Sequence, residues 1–358
     1  PNAAAYLLEL IPNNSLEESE PVAFSIKFTC KNLVVEYSIR IDLGPFLETN
    51  YPRKILFEEL KVNECVVFTR DKHLDFPSLQ KVKHLLNSDL NNPEKLDVLK
   101  SLAETSLNPV ELFLTNGFKA VFAPDLVASI TDWLQNQLVI LPRADALRIL
   151  RPSEEKEPHI EKLFSEIAKR FGSTSSALAY LDNKNTHVSE LHSIVKLDKD
   201  TNQGALIPAE LFESYGTVRF VNMFPMLLDA IQNGGTLLID EFDASVHPMI
   251  IMNIINIFHN DEINTKHAQL IFKTHNPIFL NANLLRRDEI KFVERDAETL
   301  YSRHYSLSDF GTKGDRAVRN GGSYLKKYFI DNYGAINDID FSDIFENQLK
   351  KDSGAADT

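Results

Sequence analysis

The chain has 358 residues, 43% of them hydrophobic and 25% charged, with 16 Pro and 13 Gly; it is long enough for one large or two smaller domains, and low-complexity disorder is excluded except at the ends. Its 51 acidic against 38 basic residues leave a net charge of −13, which argues against wholesale coating of nucleic acid while leaving room for a local basic patch. Two cysteines, Cys30 and Cys65, are too few for a disulfide framework or a metal cluster and fit a reducing cytoplasm, and neither a membrane span nor a signal peptide is recognisable.

The chain opens on Pro1-Asn2-Ala3-Ala4 without an initiator methionine, and the expectation is that part of its N-terminus is missing. Residues 21–70 alternate apolar and β-branched with polar residues, and "CKN" offers a turn, so strands are predicted there. Over 77–150 the period changes to helical. "FPSLQKVKHLLNSDL", "PEKLDVLKSLAET" and "PDLVASITDWLQNQLVIL" each carry apolar residues at helical spacing, with Pro near the helix starts. Residues 154–172 predict another amphipathic helix ending at Gly172, and 189–214 two strands around a polar turn. From 214 onward helix, strand, helix and strand alternate, the pattern of a parallel sheet with crossover helices. Trp133 and the nearby phenylalanines are expected in a core. The polar end of the chain is expected to fray.

"NGGTLLIDEFDASVHP" and "LIFKTHNP" carry the chemistry. The run Leu237-Leu238-Ile239 has the look of a buried parallel strand, with Asp240 and Glu241 at its carboxyl end, where α/β proteins keep their sites. Adjacent acids there are costly unless a cation or polar ligand satisfies them. Asp240 could hold Mg2+ directly or through water, and Glu241 could orient or deprotonate a water; equally, the strand could simply stop in polar residues. Upstream, Ser214-Tyr215-Gly216-Thr217 opens a long amphipathic helix, a start that suits an anion. Downstream, a second apolar run ends in Thr274-His275-Asn276-Pro277.

This order resembles the C-terminal half of an ATP-binding-cassette (ABC) ATPase of the SMC/RecF type. "ESYGT" resembles the signature motif, "TLLIDE" the Walker B strand, "DASVHP" the D-loop and "KTHNP" the switch histidine. Residues 205–340 are similar, more narrowly, to the AAA-type ATPases of prokaryotic abortive-infection and restriction-linked defence operons, with "LLRRDEIKFVE" and "YSLSDF" the most specific strings. The resemblance implies an α/β, ABC-ATPase-like P-loop NTPase fold with an N-terminal β meander and an inserted helical arm. The implied division is a β-rich ATPase lobe over 1–76, a helical insertion over 77–188, a C-terminal ATPase lobe over 189–340 and a tail over 341–358. Asp240 would bind Mg2+, Glu241 polarise the hydrolytic water, His275 contact the γ-phosphate, and Asp243 communicate across a dimer. Ser214 and Gly216 would cap the γ-phosphate of ATP held by the other subunit, which requires a head-to-tail homodimer or larger homo-oligomer.

A complete phosphate loop, G-x-x-x-x-G-K-[ST], is absent. Pro1-Asn2-Ala3-Ala4 resembles the front half of such a loop, which makes Asn2 a nucleotide-binding candidate, but Ala5 and Tyr6 stand where Gly and Lys belong. Either residues are missing from the given chain, or the nucleotide site is degenerate; intact Asp-Glu and switch His favour the first. The implied partners are an effector protein, with a nuclease one candidate, and a phage protein or nucleic acid as trigger; no membrane is implied. A RecF/SMC-like DNA-repair ATPase and a nucleotide-independent scaffold are the alternatives. His247, His259 and His267 show no metal-ligand spacing. The basic segment 313–329 fits a nucleic-acid or acidic partner no better than a solvated face. Asp338 and Asp340 have too short a tail after them for a Toprim nuclease domain.

Overall fold

A computed structural model describes residues 21–45, 51–77, 83–85, 93–105, 107–141, 159–160, 162–170, 172–175, 177–183, 188–196, 204–296, 302–311, 323–330, 333–334, 341–342 and 344–346. The chain divides into two compact units, Pro1–Leu138 and Val139–Thr358.

In the first unit, β1 (Val22–Cys30), β2 (Leu33–Asp42), β3 (Lys54–Val62), β4 (Cys65–Arg70) and β5 (Leu74–Asp75) pair antiparallel in sequential order. Two tight turns set the registers. Lys31 and Asn32 have φ of 43° and 66°, and Asn63 and Glu64 have 48° and 65°; paired left-handed residues match the twist of the flanking strands. Helices α1 (Pro93–Thr105), α2 (Phe113–Asn116), α3 (Phe118–Val121) and α4 (Pro124–Asp132) follow. Phe113, Phe118, Phe122, Leu126, Ile130 and Trp133 share one core with Phe28, Val35, Leu60 and Phe68 of the sheet. Trp133 stacks on Phe28 with ring centroids 3.8 Å apart. So α2–α4, which lie in the stretch where the sequence suggests an inserted arm, close the sheet's apolar face.

The same unit buries an ion pair. Glu58 accepts from Tyr37 Oη (2.9 Å) and from the backbone N–H of Phe113 (2.8 Å) and Leu114 (2.9 Å). Arg70 lies 3.5 Å from it and donates to the carbonyls of Glu111 (2.5 Å) and Asn108 (2.7 Å). Burial pushes the Glu58 carboxyl above its ordinary value, against the pull of the hydrogen bonds and Arg70.

The sequence pattern predicts one helix through 124–141. Instead α4 ends at Asp132, Trp133–Gln137 make a wider π turn, and Leu138–Leu141 form a strand, β6. Sheet pairing overrides the helical period here. The helix expected over 154–172 is likewise shorter among the described residues: β7 (His159–Ile160) precedes α5 (Lys162–Arg170). Of the helix expected over "FPSLQKVKHLLNSDL", the described residues are Phe76 and Pro77, which are not helical, and Lys83–Leu85, a 3-10 turn.

The second unit continues with β8 (Ala177–Asn183), β9 (Val188–Lys196) and β10 (Gly204–Pro208), an antiparallel sheet in the order β10-β9-β8-β7. Then come α6 (Ala209–Phe212), α7 (Tyr215–Asn233), β11 (Thr236–Ile239), α8 (Pro248–His259) and β12 (Gln269–Phe272). A three-stranded sheet runs β12-β11-β6, with β11 and β12 parallel and Ile239 opposite Phe272. The run 237–239 is only half buried: Leu237 and Ile239 point inward and Leu238 is intermediate. Phe220, Val221, Met223 and Leu227 of α7 pack with Leu237, Ile239, Phe242 and with Ile251, Ile254 and Ile255 of α8. Gly234 ends α7 at φ 72°, where a Cβ would lie 2.7 Å from the Lys266 carbonyl oxygen; only glycine fits both demands. A hairpin of β13 (Lys291–Arg295) and β14 (Ser302–Ser306) and the short α9 (Tyr324–Phe329) complete the unit. Among the described residues, no helix is long and apolar enough to cross a membrane.

Candidate active site

Parallel pairing carries β11 and β12 to the same end of the sheet, and the loops that follow meet there. Lys273 N–H donates to the Ile239 carbonyl (3.0 Å), and Asp240 N–H donates to the Leu141 carbonyl of β6 (3.0 Å). Asp240 is thereby fixed at the strand end. Its Oδ1 accepts from Glu241 N–H (2.9 Å) and lies 3.3 Å from Lys273 Nζ, with the Asp240 side chain 39% exposed. Glu241 is exposed and has φ 50°, the left-handed region that side-chain-bearing residues seldom occupy. The next residues turn tightly: Ala244 N–H donates to the Glu241 carbonyl (3.1 Å) and Val246 N–H to that of Asp243 (3.2 Å). Phe242 is fully buried and anchors the loop in the core; Asp243 is partly exposed.

The start of α7 rests on this loop. Ser214 caps the helix, its Oγ accepting from Thr217 N–H (3.1 Å). Glu213, just before it, accepts from Ser173 Oγ (2.6 Å) and Ser193 Oγ (2.9 Å), which ties the cap to the β8–β9 side of the unit. Gly216 is buried, and a Cβ there would stand 2.1 Å from the Ser245 carbonyl oxygen. One turn on, Arg219 donates through Nη1 to the Ala244 carbonyl and through Nη2 to the Glu241 carbonyl. Nothing in the sequence singles out Arg219: it is one cation in an amphipathic helix, and its partners lie 22 and 25 residues away.

His275 follows β12 and is exposed; Asn276 beside it caps the 3-10 turn Pro277–Phe279, accepting from Ile278 N–H at 3.1 Å. Asp240, Glu241, Asp243 and His275 therefore all lie in the loops at the carboxyl ends of β11 and β12, with Ser214 and Gly216 on the helix packed against the first loop. Asn2 lies outside the described residues, as do Lys313, Arg316, Arg319, Asp338 and Asp340. His247 caps α8 (Nδ1 to Met249 N–H, 3.3 Å), and His259 pairs with Glu289 (3.3 Å). A surface hollow of about 490 Å3 that His259 and His267 line shares no residue with the site.

Among the described residues, no three His, Cys, Asp or Glu side chains converge on a metal position. A nucleotide-bound Mg2+ does not need three, since it keeps waters and phosphate oxygens and takes one or two carboxylates. Asp240, half-exposed at a strand end, suits that chemistry. Among the described residues there is a strand-end acid pair but no glycine-lysine phosphate loop.

An α/β unit with acids at the carboxyl end of a parallel strand and a small-residue helix start beside them is the architecture of P-loop ATPase lobes. The chain belongs to the AAA ATPase-domain family described as "AAA domain, putative AbiEii toxin, Type IV TA system", whose model matches residues 14–281. That span includes every site residue named above except Asn2. No curated protein matches the chain.

Proposed function

We propose that this AAA-family protein is an ABC-class ATPase that dimerises head to tail on ATP and serves as the sensor or scaffold of an anti-phage defence system. Its output is control of a separate effector protein, a nuclease being one candidate, in the cytoplasm. The observation that carries the reading is Asp240 and Glu241 at the end of β11, beside the β12 end that delivers Lys273 and His275. In this reading Asp240 would hold Mg2+ through water, and the ion would neutralise phosphate charge. Glu241 aligns the attacking water and accepts its proton. His275 contacts the terminal phosphate, and Asp243 reports across the dimer. The dimer is supported by exposed apolar side chains close in sequence to Ser214 and to the 240–246 loop, which a second copy would cover: Leu211 (80%), Tyr215 (57%) and Met249 (64%). Ser214, exposed at the helix cap, would then face nucleotide held by that copy, whereas Gly216, the other residue the resemblance assigns to this role, is buried against Ser245 of its own chain. The family description, with its toxin–antitoxin system, supports a partner protein.

Light scattering on Glu241→Gln tests the assembly: doubling of mass with MgATP, lost on Ser214→Arg, is expected, and an unchanged mass with ATP bound would remove the dimer. A second reading, a scaffold independent of nucleotide, is favoured by one contact. Lys273 Nζ lies 3.3 Å from the carboxylate that should take Mg2+ and competes with the ion for it. Lys273→Ala separates the two: the ATPase reading predicts hydrolysis at lower Mg2+, and the scaffold reading predicts no MgATP binding in either form.

A further inference from the structure

The contacts of Arg219 have no part in the steps above. We propose that Arg219 is a positioning residue: it holds the 240–246 loop in the shape that presents Glu241 and ties that loop to the first turns of α7. The proposal rests on the hydrolytic role given to Glu241.

Arg219 is 4% exposed, and among the described residues no carboxylate pairs with it. Burying a guanidinium is costly unless its donors are satisfied. Here two carbonyls of a single loop, those of Glu241 and Ala244, take Nη2 and Nη1, while Nε has no partner. The Glu241 carbonyl also accepts from Ala244 N–H, so the peptide after the proposed water-activating residue is held from two sides. That residue sits at φ 50°, a conformation that persists only where surrounding contacts determine it. Gly216, one turn before Arg219, brings the helix into backbone contact with Ser245 of the same loop. Two separate contacts thus make the α7 start and the Glu241 loop move together. Whatever shifts Ser214 at the helix cap also shifts Glu241 of the same subunit.

The test uses the full chain. Arg219→Met keeps bulk and removes both donors without leaving a buried charge; Arg219→Lys keeps the charge and can reach one carbonyl. Melting temperature, MgATP affinity, kcat and amide hydrogen exchange across 240–247 are measured for each. For Arg219→Met we expect exchange in 240–247 to quicken about tenfold, kcat to fall about 10–100-fold, and Kd for MgATP to stay within about threefold. Arg219→Lys should fall between Met and wild type in exchange and kcat. A folded Met variant with wild-type exchange in 240–247 overturns the proposal, and so does equal loss of affinity and kcat. If the Met variant does not fold, Arg219→Lys decides alone, and wild-type exchange and kcat in it overturn the proposal. Should Glu241→Gln hydrolyse ATP at the wild-type rate, the reading of Glu241 fails, and quickened or unchanged exchange still decides whether Arg219 pins the loop.

Discussion

Replacing Gly216 by alanine sets two effects of opposite sign against each other at one atom. Gly216 is the second residue of α7, and in a free helix start Gly→Ala stabilises by about 0.4–1 kcal/mol through the unfolded chain. Here the added methyl would stand 2.1 Å from the Ser245 carbonyl oxygen, 3.2 Å from its carbonyl carbon and 3.7 Å from the Val246 Cα. All three are backbone atoms, so no side chain can swing aside. Relief requires the 240–246 loop to retreat by about 1.3 Å, from 2.1 Å to about 3.4 Å, to reach ordinary contact, against the buried Phe242 and the Arg219 contacts. Overpacking of this kind costs about 1–3 kcal/mol, so the clash outweighs the entropic gain, and Tm should fall by about 2–4 °C per kcal/mol of net loss. A displacement of that size at Glu241 should also lower kcat by about 100-fold. Thermal denaturation and steady-state ATP hydrolysis read the two effects. An alanine variant that is more stable than wild type and fully active would show that α7 and the loop do not meet as described.

Glu58 makes the stability of the first unit pH-dependent. Its carboxyl is raised in the folded state, mainly by burial, so its stabilising contribution is present below the ordinary carboxylate value and is lost as pH rises through the raised one. The stability of wild type relative to Glu58→Gln should therefore fall as pH rises from about 4 towards neutrality, measured as paired melting temperatures; a rise would reverse the sign argued here. Breaking the pair outright with Glu58→Ala, which leaves Arg70 buried, should cost about 3–5 kcal/mol in denaturant unfolding. Asn264→Ala should cost about 1–3 kcal/mol, because its buried amide bridges the Phe258 carbonyl (2.8 Å) and both the carbonyl and N–H of Ala268 (2.9 and 2.7 Å). A loss of unfolding free energy below about 0.3 kcal/mol would contradict the role.

The site's parallel strands were legible from their order, since from 214 onward helix, strand, helix and strand alternate as in a parallel sheet with crossover helices. "TLLID" and "LIFKTH" carry those strands, and β11 and β12 pair parallel. The turn at Lys31-Asn32 was readable as well, since Asn tolerates the left-handed conformation that a two-residue hairpin requires. Leu138–Leu141 was not, because four apolar residues fit a helix face and a strand equally; the decision lies in the hydrogen bond from Asp240 N–H to the Leu141 carbonyl, a partner about a hundred residues away. The packing duty of Gly216 against Ser245 was likewise invisible, since a glycine at a helix start reads as a phosphate contact before it reads as room for another backbone. Arg219 gave no signal because its partners are carbonyls, which every residue carries.

The most direct test of the central claim is Mg2+-dependent ATP hydrolysis by the full-length protein beside Glu241→Gln, with MgATP binding measured for both. Turnover by the wild type is expected, with a variant that binds MgATP with similar affinity but turns over at least about 100-fold more slowly. Equal turnover in the two, or no binding by either, would contradict that claim.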